Sequence, residues 1–337
     1  MKKLFLFILL FSSSLSAQVG GAHVYNFLQL PTAARQAALG GEVITLTDNV
    51  NQPLWNPATI NPGLDRHLSV NYMNYLADIH MTSLSYAHLI DRHLGTLHTG
   101  VNYLNYGRLI EADEYGIETG TFKAYDLAFS LGYAHHFPQL NLRFGLNIKW
   151  INSIIGSYKS FGLATDIGLL YHNKYRPYTF SLLVRNAGFQ LSAYDQTKEP
   201  IPLDVQFGAS YSLKHVPLIW YITLDNLHRW KLAYSNPSNS TNSLEDGSVT
   251  QERISFLDNA FRHISLGAEL FPNKAFSLRL GYNYRRAREL MLYDKRTFAG
   301  LTAGFGIRFS KWTFNYAYAK YHPASSASTF SLSINPE

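Results

Sequence analysis

Ala275-Phe276-Ser277-Leu278-Arg279-Leu280-Gly281-Tyr282-Asn283-Tyr284-Arg285 alternates apolar and polar residues without a break. In a strand, successive side chains point to opposite faces. Phe276, Leu278, Leu280, Tyr282 and Tyr284 then share one greasy face. Ala275, Ser277, Arg279, Gly281, Asn283 and Arg285 share the wet one. A soluble sandwich uses such a strand once or twice. Here the pattern recurs about fourteen times, over 67–76, 79–89, 94–106, 124–136, 141–152, 160–172, 177–187, 202–214, 217–228, 260–271, 274–285, 297–308, 312–321 and 328–334. Most of these segments have the length, about 10 residues or slightly more, that a tilted membrane strand needs. The pattern predicts an all-β fold: a 14-stranded antiparallel transmembrane β-barrel, greasy outside and polar within.

Register is strongly specified. Leu203, Val205, Phe207, Ala209, Tyr211 and Leu213 alternate with Asp204, Gln206, Gly208, Ser210, Ser212 and Lys214. Leu142, Phe144, Leu146, Ile148 and Trp150 alternate with Asn141, Arg143, Gly145, Asn147 and Lys149. A slip of one residue would turn Arg or Asp into hydrocarbon, at ~2–4 kcal/mol for Arg near the midplane.

The start of the chain sets the compartment. Lys2 and Lys3 precede an apolar run from Leu4 to Phe11, and Ser12 to Ser16 thin it out before Ala17. This reads as a signal peptide over 1–17; the run is too short to span a bilayer as a helix. Aromatic residues make up 15% of the chain and charged residues also 15%, the latter well under the usual quarter for soluble domains. With no cysteine, disulfides and thiolate chemistry are excluded. The net charge of +6 comes without the basic run that a nucleic-acid tail would show.

Connections alternate as well. Short ones are expected at 90–93, 137–140, 173–176, 215–216, 272–273 and 310–311. Longer ones are expected at 107–123, 153–159, 188–201, 229–259, 286–296 and 322–327, with Ala77-Asp78 as the exception. Bacterial barrels keep short turns on the periplasmic side and long loops outside. Residues 18–66 do not fit the ladder. Thr32 is expected to cap a short helix over 33–39, stopped by Gly40-Gly41, ahead of Trp55-Asn56-Pro57-Ala58. Small residues pack closely against other backbone, so 18–66 is read as a plug or hatch in the lumen, with a periplasmic arm as the alternative. The barrel proper is 67–337.

The segment Tyr25-Asn26-Phe27-Leu28, Pro31, Ala33-Ala34-Arg35, Ala37-Ala38-Leu39-Gly40-Gly41 and Asn56-Pro57-Ala58 resembles the hatch of barrels similar to the long-chain fatty-acid transporter. More narrowly, the chain resembles the PorV/PorQ family of the type IX secretion system of Bacteroidetes. The PorQ side of that family is indicated by Leu104-Asn105-Tyr106-Gly107, Asp225-Asn226-Leu227-His228-Arg229-Trp230, Leu257-Asp258-Asn259 with Arg262-His263, Gly281-Tyr282-Asn283-Tyr284-Arg285-Arg286 and Gly304-Phe305-Gly306-Ile307. The resemblance spans most of the mature chain. It implies a 14-stranded, non-enzymatic outer-membrane protein without cofactors. It also implies a place in the attachment complex, holding a PorZ-like surface protein in company with PorV and PorU, where cargo is joined to lipopolysaccharide. Arg35, Gly40, Gly41, Asn56 and Pro57 are the hatch-motif residues it singles out. The ending Ile334-Asn335-Pro336-Glu337 departs from the terminal aromatic residue common in such barrels.

No nucleophile elbow, phosphate loop or zinc-helix motif is present. His135-His136 are adjacent and face opposite ways on a strand; His88, His93 and His98 alternate faces too, so a metal site is not expected. The basic group Arg285, Arg286, Arg288, Lys295 and Arg296 falls at the outer rim, where guanidinium groups would meet lipopolysaccharide phosphates or a partner. The competing reading turns Arg285 and Arg279 inward onto acids such as Glu269; it is favoured for Arg279 and stands level for the loop residues. Two function classes follow: a docking scaffold with a sealed lumen, or a passive transporter of hydrophobic compounds. The inward residues, mostly Asn, Ser, Thr, Gly, Arg and Asp, line an acyl-chain path poorly.

Overall fold

The computed structural model describes residues 23–91, 95–173, 175–233, 241–242, 249–250, 254–290, 298–322 and 325–336. The expected signal peptide over 1–17 lies outside them, as do residues 236–240 and 245–247, the polar, turn-forming stretches of the expected long connection 229–259. Fourteen antiparallel strands close into one barrel. They are β1 Leu68–Leu76, β2 Ile79–Asp91, β3 Gly95–Ala112, β4 Glu118–Phe137, β5 Leu142–Ile155, β6 Tyr158–His172, β7 Tyr178–Ser192, β8 Asp204–Ser212, β9 Leu218–Leu224, β10 Ile264–Leu270, β11 Phe276–Asn283, β12 Leu301–Phe309, β13 Trp312–His322 and β14 Ser325–Ile334. Each pairs with its sequence neighbours, and β1 closes on β14 from Leu68↔Ile334 to Asn74↔Ser328. The final strand therefore forms despite the unusual chain ending. No described helix is long and apolar enough to cross a membrane.

The alternation is realised as read. Phe276, Leu278, Leu280 and Tyr282 are exposed on the outer wall, and Ser277, Arg279 and Asn283 are buried. In β5, Phe144, Leu146 and Trp150 face out while Asn147 and Lys149 are buried. Lys149 Nζ pairs with Asp166 at 2.7 Å and donates to Asn186 Oδ1 at 2.9 Å, so the inward charge is compensated.

Strand ends depart from expectation where alternation stops reporting. The expected loop 107–123 is largely a hairpin extension: Arg108↔Lys123 through Glu111↔Gly120 remain paired. Its side chains are mostly exposed on both faces, so no hydrophobic period marks it, yet the backbone ladder continues. The 153–159 loop likewise shrinks to Gly156-Ser157, between the paired Ile155 and Tyr158. At β9 the reverse occurs. The strand stops at Leu224, because Asn226 takes φ 53 and the Asp225 amide turns to the His263 carbonyl. Helix α2, Phe256–Phe261, replaces the expected start of β10; Ser255 Oγ caps it by accepting from the Asp258 amide at 3.1 Å. Tyr284 and Arg285 leave β11 for helix α3, Tyr284–Glu289, whose cap is Asn283.

Residues 24–62 are almost continuously buried within this wall. Helix α1, Ala34–Ala38, packs its alanines on Ala317 of β13. The expected Thr32 cap is not made. Ala33 holds the N-cap position, and the free amide of Ala34 instead donates to Ser331 Oγ of β14 at 2.8 Å. The barrel wall thus supplies the cap that the helix lacks. Gly40 and Gly41 end the helix with φ near 94 and 92, a conformation costly for any residue with a Cβ.

Candidate functional site in the lumen

The hatch is held by side chains that the strands point inward. Arg35 Nη1 pairs with Asp48 at 2.8 Å and Nη2 with Glu269 of β10 at 2.8 Å. Glu269 also accepts from Arg279 Nε at 2.7 Å and from the Tyr221 hydroxyl at 3.0 Å. One fully buried carboxylate thereby joins the hatch helix to three neighbouring strands, β9, β10 and β11. The inward pairing of Arg279 with Glu269 is the arrangement favoured from sequence.

Asn56 is the second fastening. Its Nδ2 donates to the Ile44 carbonyl and to Ser181 Oγ of β7, both at 2.8 Å, and its Oδ1 accepts from the Ala58 amide at 3.0 Å. Pro57 opens the short 3-10 turn Pro57–Thr59 that this cap organises. The turn lies so close to the wall that a Cβ at Gly145 would overlap the Pro57 and Ala58 backbone. Replacing Asn56 with Ala would leave at least two buried backbone groups unpaired, at about 1–3 kcal/mol each. The expected result is a lower unfolding midpoint in detergent, read from the temperature at which the folded band disappears on unheated gels. An unchanged midpoint would show that the hatch needs no such fastening.

Among the described residues, polar chambers lie on both sides of the hatch. Toward the short-turn end lies one of about 230 Å3, with Arg35, Asp48, His172 and Arg176 among its lining. Toward the long-connection end lies one of about 320 Å3, built mainly of polar side chains. Arg185, 2% exposed, lies over the Trp55 ring at 3.2 Å and donates to the Leu28 carbonyl at 2.8 Å. Arg286 lies over the Tyr321 ring at 4.3 Å. Arg285 grips Asp225 at 2.6 Å and stands 4.0 Å from Glu42. Burial, and then Asp204, lifts the Glu42 carboxyl above its usual range against the pull of Arg285. Burial works against the Arg285 charge, but Asp225 and Glu42 outweigh it and hold that guanidinium firmly protonated. A chamber of facing guanidinium and carboxylate groups suits a polar or charged occupant. It is a poor seat for an alkyl chain, whose burial there would strip water from those charges.

The basic rim group divides. Arg285 and Arg286 line the chamber; Arg285 keeps the inward side that strand parity gives it, and α3, which begins at Tyr284, turns Arg286 over the lumen as well. For Arg286 the rim and inward readings stood level in the sequence, and the structure places it on the chamber lining. Arg288 is exposed but paired with Asp258 at 3.2 Å. Lys295 and Arg296 lie outside the described residues.

Several scattered sequence motifs converge beside this chamber. Asn259 Oδ1 accepts from the Leu232 and Ala233 amides at 3.0 Å each, and its Nδ2 donates to the Trp230 carbonyl. The His263 ring sits between two backbone carbonyls, Nδ1 2.7 Å from that of Asp225 and Nε2 3.0 Å from that of Trp230, so that its N–H has an acceptor in either tautomer. Asp225, Trp230, Asn259, His263 and Arg285 thus form one knot that holds the long connection against the barrel mouth. Sequence reasoning missed Glu42, Trp55 and Arg185 as parts of a chamber; Arg185 carried a signal, being a charge at an inward strand position. Among the described residues, no three His, Asp or Glu side chains gather as a metal ion would require.

The fold has known counterparts. The chain is similar to the Ralstonia pickettii toluene transporter TbuX, at 13% identity and a TM-score of 0.53, over 92% of this chain and 98% of that one. It is also similar to a Pseudomonas aeruginosa FadL homologue, at 11% identity and a TM-score of 0.47, over 90% and 97%. No protein-family model and no curated protein matches the sequence. The likeness to TbuX bears on the architecture alone: a closed antiparallel β-barrel of the same general shape.

Proposed function

We propose that this barrel is a non-enzymatic scaffold of the type IX secretion attachment complex, of the PorQ kind. Its outer face holds a PorZ-like surface protein, in the company of PorV-like and PorU-like partners, where cargo is joined to lipopolysaccharide. The observation that carries this reading is the lumen, which is filled by a fastened hatch and flanked by charged chambers. Among the described residues, such an interior offers no greasy route through the barrel. The apolar hollow of about 350 Å3 around Ala209, Phe180 and Trp220 lies on the lipid-facing wall instead. The knot at the barrel mouth supports the same reading. It ties largely buried motif residues of the resemblance into one cluster that fixes the long connection in place, which docking needs and passive diffusion does not.

The second reading is a passive transporter of hydrophobic compounds, which the shared fold with a toluene transporter favours. The two separate in one experiment. Affinity-tagged barrel extracted from its own outer membrane should recover a soluble surface protein in stoichiometric amount. Vesicles containing the barrel should take up radiolabelled fatty acid no faster than empty ones. Recovery of acyl compounds with no protein partner would overturn the scaffold in favour of transport.

A further inference from the structure

Helix α2 is built inside out for an element in water. Phe256, Leu257 and Phe261 are 70%, 65% and 48% exposed, while the polar Asn259 is buried. Asp258 is turned to protein partners, with Tyr284, Arg262 and Arg288 all bonded to its carboxylate. A water-facing helix carries its polar residues outward. Here the outward face is almost wholly apolar, and Trp230, itself 52% exposed, adds to it, its ring tilted against Phe256 with centroids 4.9 Å apart.

This face continues the lipid-facing wall. Leu266 of β10 pairs across the sheet with Ile222 of β9 and Tyr282 of β11, and all three side chains are exposed on the outer wall. Tyr284 follows two residues after Tyr282, and its ring meets Phe261 at 5.6 Å. The apolar surface therefore runs from the strands through Tyr284 onto the helix. Beside it, Arg229 and Lys231 flank Trp230 in sequence and are exposed. Aromatic rings next to cations are what a membrane–water boundary favours.

We propose that α2 is a lipid-inserted rim anchor. Its Phe256-Leu257-Phe261 face and Trp230 sit among the acyl chains of the leaflet at the long-connection end, with Arg229 and Lys231 at the level of the headgroup phosphates. The hydrocarbon contact is then taller on this side than the ends of β9, β10 and β11 alone would make it. The anchor fixes the mouth knot, and so the long connection, at a set height on the membrane. It rests on the fold and not on the secretion reading, and it holds whichever partner docks above.

The absence of native cysteine makes the test clean. Leu257→Cys, spin-labelled, is placed in phosphatidylethanolamine–phosphatidylglycerol vesicles, and collision with oxygen is compared with collision with a water-soluble nickel chelate. Leu280→Cys on the mid-wall serves as the lipid reference and Tyr115→Cys, at an 81% exposed position, as the aqueous one. The oxygen-to-nickel ratio at 257 is expected nearer to that of L280C, a reversal of the preference at Y115C. A ratio nearer to Y115C would overturn the proposal, and so would shielding from both reagents, which would mean protein covers the face. Gel mobility before and after heating confirms that each variant is folded, and Phe261→Cys repeats the measurement from the other end of the helix.

Discussion

Glu269→Ala is expected to lower the unfolding midpoint more than any other single side-chain deletion considered for this barrel. Glu269 is fully buried and is held by Arg35, Arg279 and the Tyr221 hydroxyl. Alanine would leave two guanidinium groups, Arg35 of the hatch and Arg279 of the wall, facing each other with no carboxylate between them. Removing one partner of a buried ion pair costs about 3–5 kcal/mol, because the remaining charge stays out of water and uncompensated. Glu269→Gln should be milder, since the amide oxygen still accepts from an arginine while the charge is lost. The measurement is a thermal melt in detergent by circular dichroism, together with protease access to the hatch from the short-turn side. An alanine variant that melts with the wild type, its hatch still protected, would show that Arg35 is held by Asp48 alone.

The second large effect concerns function. Gly145→Leu is expected to unseat the hatch and open the barrel. A Cβ at this position overlaps the backbone of Pro57 and Ala58, and backbone cannot rotate aside as a side chain can. Either the strand or the hatch must move. The strand is fixed on both sides by its ladders with β4 and β6, so the hatch gives way. Overpacking of this kind costs about 1–3 kcal/mol, which a 14-strand barrel should survive. Planar-bilayer recordings should then change from a closed baseline to a steady conductance, with sheet content unaltered by circular dichroism. Leu146→Ala, the next residue but facing lipid, should leave the baseline closed. A silent G145L channel would mean that the lumen is sealed by something other than the 57–59 turn.

The two variants mark different depths of legibility. That Gly145 faces the lumen was readable from its place between Phe144 and Leu146. That it is glycine because Pro57 lies against it was not, since nothing near position 145 in the sequence mentions position 57. The inward turn of Arg279 was likewise readable from strand parity, and Glu269 from the same rule one strand earlier. Arg286 was not, because parity holds only while the chain is a strand, and α3 begins at Tyr284. The hairpin beyond Asn105 failed for a related reason. Outside the membrane both faces of a strand meet water, and the period that identifies it disappears.

The sequence alone determined the wall: which residues face hydrocarbon, how many strands close it, and that an odd N-terminal segment remains. Those features follow from a two-residue period, which each short stretch carries by itself at several kcal/mol per misplaced charge. Only the tertiary structure decided what fills the cylinder and what stands at its mouth. Arg35 meets Glu269 across 234 positions of chain, and Asn56 meets Ser181 across 125. Such pairings depend on where the closed barrel brings distant strands, a geometry that no local pattern of side chains contains.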